Sequence, residues 1–181
     1  MKKHPAAFIP HALFVLAVIY MVQYVINDGG NDLYIYRLGA ETIADGPGGP
    51  GLYEVSLDNY PFTYPPFAAL LFIPFALMPK EVGMALMMLI TAGIAWWLGW
   101  VITRYVSRRG VRIPLYEHLG TAGCASTLAL LIWASGPWRL TTHFGQINAV
   151  ILLLVLADFL RPATRVPRGV LIGIAGGIKL T

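Results

Sequence analysis

Residues 82–103, VGMALMMLITAGIAWWLGWVIT, run for 22 positions without a charged side chain. A helix rises about 1.5 Å per residue, which makes this run about 33 Å long, and crossing the hydrocarbon of a bilayer takes roughly 20 apolar residues. In lipid every backbone amide needs a partner inside the protein, so a single run of this kind has to be helical. Charged residues make up 12% of the chain, about half of what soluble domains carry. The formal charge of +4 comes from basic residues set between apolar runs, not from a stripe on one face, so nothing points to nucleic acid. The single cysteine, Cys124, builds no disulfide framework within one chain.

Four further runs complete an expected all-α integral-membrane fold. His4–Asn27 predicts a first helix over about 5–26, an uncleaved signal anchor because it is long and lacks a small-x-small cleavage site. Helices are expected at 82–103, 119–138 and 144–160, and a last at 170–181. That last run holds only about a dozen apolar residues, short of a span. The chain is therefore read as the N-terminal part of one longer transmembrane domain, inactive by itself. The basic connectors are Lys2–Lys3, then Arg104, Arg108, Arg109 and Arg112, then Arg161, Arg165 and Arg168. Placing all three in the cytoplasm gives a multi-pass plasma-membrane protein with loop 27–81 outside.

Inside that loop lies PFTYPPFAALLFIPFALMP. Its apolar part, Phe67–Met78, is expected to begin and end on the outer side as a half-buried or re-entrant helix. Pro65 and Pro66 suit a first helical turn, Pro74 a kink and Pro79 the end. A short full span is the alternative, and it would move the Arg104–Arg112 connector outside. Between Asn27 and Tyr64 the loop carries Asp28, Asp32, Glu41, Asp45, Glu54 and Asp58 against Arg37 alone. DLYIYRLGAETIA has the spacing of a helix lying along the interface, and ADGPGGPG is a turn-rich break.

Asp32 stands just beyond the first apolar run, at headgroup level, as a catalytic carboxylate or an interfacial helix cap. Asp28 and Asp58 are weaker candidates. Lys179, about nine residues into the last helix, reads as a mid-membrane site residue or a snorkelling lysine. WRLTTHFGQIN is expected as an outer connector that places Arg139, His143, Gln146 and Asn148 together, as binding groups or as a polar turn. Asp158 and Arg161 read as a surface pair, and Trp96, Trp97 and Trp100 as packing or lipid-facing aromatics. No G-x-x-x-x-G-K-[ST] or H-E-x-x-H motif occurs and no G-x-G-x-x-G follows a strand, GGPG being a loop, so neither a nucleotide cradle nor a metal site is expected. An activated substrate would be lipid-borne.

In order, DLYIYRLGAETI, PFTYPPFAALLFIPFALMP, HFGQINAVILLLVLADFL and GVLIGIAGGIKLT resemble glycosyltransferase family 87. These are GT-C-type, polyprenyl-phosphate-mannose-dependent mannosyltransferases of actinobacterial envelopes. The resemblance covers Asp32 to Thr181. It implies a multi-spanning fold with an outward-facing active site on the first large outer loop, Asp32 as general base, and a proline-rich block walling the donor pocket. Tyr64, Lys179, His143, Gln146, Asn148 and Arg139 would be donor- or acceptor-binding. The implied partners are a polyprenyl-phosphate sugar as co-substrate, a cell-envelope glycolipid acceptor and membrane lipids, with no other cofactor. An arabinofuranosyltransferase with a decaprenyl-phosphate donor fits nearly as well. A transporter would also use a mid-membrane lysine and a re-entrant element, though no internal repeat is visible. A non-catalytic membrane subunit is the third alternative.

Overall fold

The structure, a computed structural model, describes residues 5–46, 48–111, 114–162 and 165–180. Lys2, Lys3 and Arg112 of the basic connectors lie outside these residues. After a 3-10 turn at Pro5–Ala7, α1 (Phe8–Asp28) leads through Gly29–Gly30 into α2 (Asn31–Ala44). A small hairpin follows, β1 (Ser56–Leu57) antiparallel to β2 (Tyr60–Pro61) with Leu57 opposite Tyr60. Then come α3 (Pro66–Ala76), α4 (Lys80–Arg108), α5 (Tyr116–Ala134), α6 (Gly136–Phe144), α7 (Asn148–Leu160) and α8 (Val170–Ile178).

Among the described residues α1 and α4 are long and apolar enough to cross a membrane, and α5 with α6 would make a third span if the bent pair is counted as one. This is an all-α membrane architecture. The exposed side chains of α1, including Phe8, Leu13, Leu16 and Ile19, form the apolar face such a helix turns to lipid. α4 packs most extensively on α5. Lipid removes the hydrophobic drive between membrane helices and leaves close packing to hold them. Gly99 shows how close: a β-carbon there would sit 2.3 Å from the Ala125 carbonyl oxygen.

Three expectations need correction. The helix expected over 119–138 breaks at Ser135, whose backbone is extended, and α6 leaves α5 at 74°. Hydropathy reads no break there, but Gly136 lacks helix propensity and Pro137 belongs in a first turn. The stretch expected as a connector, Arg139 to His143, is therefore helical. Lys179 is not inside a helix either, since α8 ends at Ile178 and Lys179 is extended, with φ −153° and ψ 123°. Asp158 is not on the surface but 2% exposed. It pairs with Arg161 at 2.8 Å and accepts the Gly169 N–H at the start of α8. Arg168 in turn donates to the carbonyls of Asp158 and Phe159 that α7 leaves open.

Two buried clusters organise the whole. One joins Phe14 and Val18 of α1, Ile94 and Leu98 of α4, and Ala129 and Trp133 of α5. The other sits at one end, where Leu33 and Tyr36 of α2, Phe62, Phe72 of α3, and Met84, Met87 and Met88 of α4 meet. Tyr36 stacks on Phe72 with centroids 4.4 Å apart. α3 is 11 residues long, about 16 Å, too short to cross about 30 Å of hydrocarbon. Its end is held by Arg37, which donates to the carbonyls of Phe75, Ala76 and Met78. The loop 27–81, α6, the α6–α7 turn and the end of α8 thus gather at one end, and the α4–α5 and α7–α8 connectors lie towards the other.

Candidate active site

Asp32 enters at the first turn of α2. The helix is capped by Gly30, in the left-handed region at φ +87°, and no side chain bonds to the cap. The carboxylate is therefore not consumed as the N-cap that its residue type suggested. Among the described residues it has no hydrogen-bond or ion-pair partner, and it is partly exposed. Gly30 has a reason of its own: its N–H donates to the His143 carbonyl at 2.8 Å, and a β-carbon there would lie 1.7 Å from the Met84 methyl. This bond ties the elbow carrying Asp32 to the turn carrying Gln146 and Asn148.

Near Asp32 stand two phenols. The Tyr36 hydroxyl donates to that of Tyr64 at 3.2 Å, and their rings meet edge-on. Burial pushes the Tyr64 phenol above its ordinary range; the bond from Tyr36 pulls the other way, and the charge of Asp32 adds to the rise. Tyr36 is raised further, by burial first, then by the neighbouring Tyr64 to which it donates, and by the charge of Asp32. Tyr64 thus stays protonated at neutral pH, and because it accepts from Tyr36 its own proton remains available to donate.

Lys179 completes the group. Its Nζ lies 5.3 Å from the centre of the Tyr64 ring and donates to Asn148 Oδ1 at 3.0 Å. Asn148 donates in turn to Gln146 Oε1 at 2.7 Å. The chain of contacts fixes the ammonium while leaving it two donors. A hollow of about 630 Å³ opens against it, walled by Tyr53, Tyr64, Pro65, Pro66 and Lys179. A cation and a neutral phenol donor at this hollow, with an unpaired carboxylate whose charge is felt by the same phenol, are suited to an anionic leaving group and a hydroxyl nucleophile.

Five of the seven residues singled out in the sequence, Asp32, Tyr64, Lys179, Gln146 and Asn148, are thus near neighbours. The side chains of Arg139 and His143 are not among them, although the His143 carbonyl holds Gly30. They line a separate hollow with Tyr20, Met21 and Tyr24, where His143 lies against the Tyr24 ring. Asp28 is exposed at the end of α1. Asp58 and Asn59, at φ +48° and +68°, form the hairpin turn, a conformation that suits Asp and Asn. Tyr36 and Tyr53 were missed. Tyr36 had a signal in DLYIYR, where the helical spacing from Leu33 to Ala40 also selects position 36.

Residues 62–181 match the profile of glycosyltransferase family 87, leaving Asp32 outside the matched range. Over 171 residues, 87% of the chain, it is 36% identical to a polyprenol-phosphate-mannose-dependent alpha-(1-2)-phosphatidylinositol pentamannoside mannosyltransferase of Mycolicibacterium smegmatis. A polyprenol-phosphate-mannose-dependent alpha-(1-2)-phosphatidylinositol mannoside mannosyltransferase of Mycobacterium tuberculosis is 32% identical over 160 residues, 83% of the chain. The chain spans 37% of the length of each of these two relatives. No solved structure matches it.

Proposed function

The chain belongs to glycosyltransferase family 87, and on that premise we propose that it contributes the catalytic end of a membrane mannosyltransferase. The donor is a polyprenyl-phosphate mannose, the acceptor a phosphatidylinositol-mannoside type of glycolipid, and the reaction takes place at the outer face of the plasma membrane. One observation carries this reading: an unpaired carboxylate and a hydrogen-bonded ammonium flank the same pair of phenols.

The chemistry follows from those groups. Asp32 takes the proton of the acceptor hydroxyl as that oxygen bonds to the anomeric carbon from the face opposite the phosphate. The carbon–oxygen bond to phosphate breaks as the new bond forms, and the phosphate leaves with the electron pair, so the configuration inverts. Polyprenyl phosphate departs as an anion and needs charge stabilisation more than protonation. Lys179 supplies a charge-assisted contact, and Tyr64 a neutral hydrogen bond.

The test is Asp32→Asn in membranes carrying the full-length protein, with polyprenyl-phosphate mannose as donor. Asn preserves shape but cannot accept the proton, and loss of a general base costs about 10²–10⁴ in rate. Near-complete loss of mannosyl transfer is expected, at normal abundance and with donor binding retained. Transfer within a few-fold of wild type would remove Asp32 as the base. Supplying decaprenyl-phosphate arabinose in parallel separates the arabinofuranosyl alternative, which predicts the opposite donor preference.

A further inference from the structure

At the other end of the molecule from Asp32, α4 and α7 enclose a hollow of about 490 Å³. Trp97 and Trp100 wall one part of it and Arg104 and Arg108 another, with Arg161 alongside. Arg161 is held by Asp158 and by the carbonyls of Val166 and Pro167, so its charge is largely answered inside the protein. Arg104 and Arg108 differ. They are exposed, and among the described residues neither pairs with a carboxylate. The guanidinium of Arg104 lies over the Trp100 ring at 5.7 Å. Four residues apart on one helix, the two cations face the same way, where like charges disfavour each other until an anion sits between them. The same pair also borders a second hollow towards α5, beside Tyr116 and Thr121, whose hydroxyls bond each other at 2.8 Å.

Depth identifies the anion. α4 has 29 residues, about 43 Å, and outruns the roughly 30 Å of hydrocarbon. Its apolar run stops at Thr103, so Arg104 and Arg108 stand at headgroup level with the Trp97–Trp100 wall reaching back towards the acyl chains. Cations above and aromatics below match an amphiphile, whereas a free phosphate would leave the aromatic wall unused. Basic clefts between membrane helices are suited to anionic lipids, and guanidinium to phosphate oxygens.

We propose that this cleft seats an anionic phospholipid of the leaflet opposite Asp32, its phosphate between Arg104 and Arg108 and an acyl chain along Trp97 and Trp100. The site would be separate from either substrate of sugar transfer, and it stands whether or not the catalytic reading does.

The probe is tryptophan fluorescence of the protein in phosphatidylcholine vesicles doped with brominated phosphatidylglycerol or, at equal mole fraction, brominated phosphatidylcholine. Quenching by the anionic lipid is expected at about tenfold lower mole fraction. Arg104→Gln/Arg108→Gln should abolish the preference, and Arg109→Gln/Arg165→Gln, outside the cleft, should keep it. Equal quenching by the two lipids overturns the proposal in the wild-type protein alone, whatever the variants do. So does an equal loss in the control pair, which would reduce the effect to overall charge. Loss of the preference on adding inorganic phosphate would assign the site to a soluble anion and likewise overturn it.

Discussion

Lys179 shows what a side chain's position in sequence leaves undetermined. Its charge within an apolar run made it notable, because counting residues put it inside a helix, at a depth where a charge is costly. The helix stops one residue earlier, and the extended backbone brings the ammonium to Asn148 and Tyr64. Gln146 and Asn148 were legible as hydrogen-bonding groups gathered within one short polar stretch, WRLTTHFGQIN. That Arg139 and His143 line a different hollow was not, because the direction of α6 depends on its bend from α5. Lys179→Gln keeps similar length and removes the charge, and in full-length enzyme kcat/KM should fall by about tenfold or more, with abundance unchanged. Lys179→Arg should recover part of that loss. Wild-type kinetics in the Gln variant would free Lys179 from any role in holding the donor phosphate.

At the scale of elements, α3 is the piece whose ends the prolines marked in advance. Pro66 occupies its first turn and Pro74 lies inside it, three residues before its C-cap, Leu77. What the sequence leaves out is why so short a helix stays put. Its terminal carbonyls are taken by Arg37 of α2, the one cation among the six acids of the loop between Asn27 and Tyr64. Arg37→Met should therefore lower the thermal midpoint in detergent by about 5 °C, since a charged hydrogen-bond partner is lost and carbonyls are left open. Arg37→Lys, reaching fewer carbonyls, should fall between. A midpoint equal to wild type in Arg37→Met would mean that packing of Phe72 on Tyr36 alone holds α3. The α5–α6 bend and the β1–β2 hairpin escaped the sequence reading because hydropathy measures transfer into lipid and carries no information on backbone direction. Asp58–Asn59 was the available turn signal.

For the molecule as a whole, the arrangement of ends is testable directly. With Cys124 replaced by Ala, a cysteine at Gly49 in the acidic loop should react with an impermeant thiol reagent from outside intact cells. One at Val111, in the basic connector, should react only after permeabilisation. Labelling of Val111 from outside would reverse the proposed orientation. The buried Asp158 has a consequence at this scale as well. By fastening the end of α7 to the start of α8, it acts as a fulcrum, and α8 is the arm that carries Lys179 at its tip. Over an arm of about 14 Å, a swing of about 4° moves the tip by about 1 Å, a misplacement that can cost about 10²-fold in rate. A change at Asp158 would then register as slower turnover in a protein that still folds, through angular error delivered from the opposite end of α8.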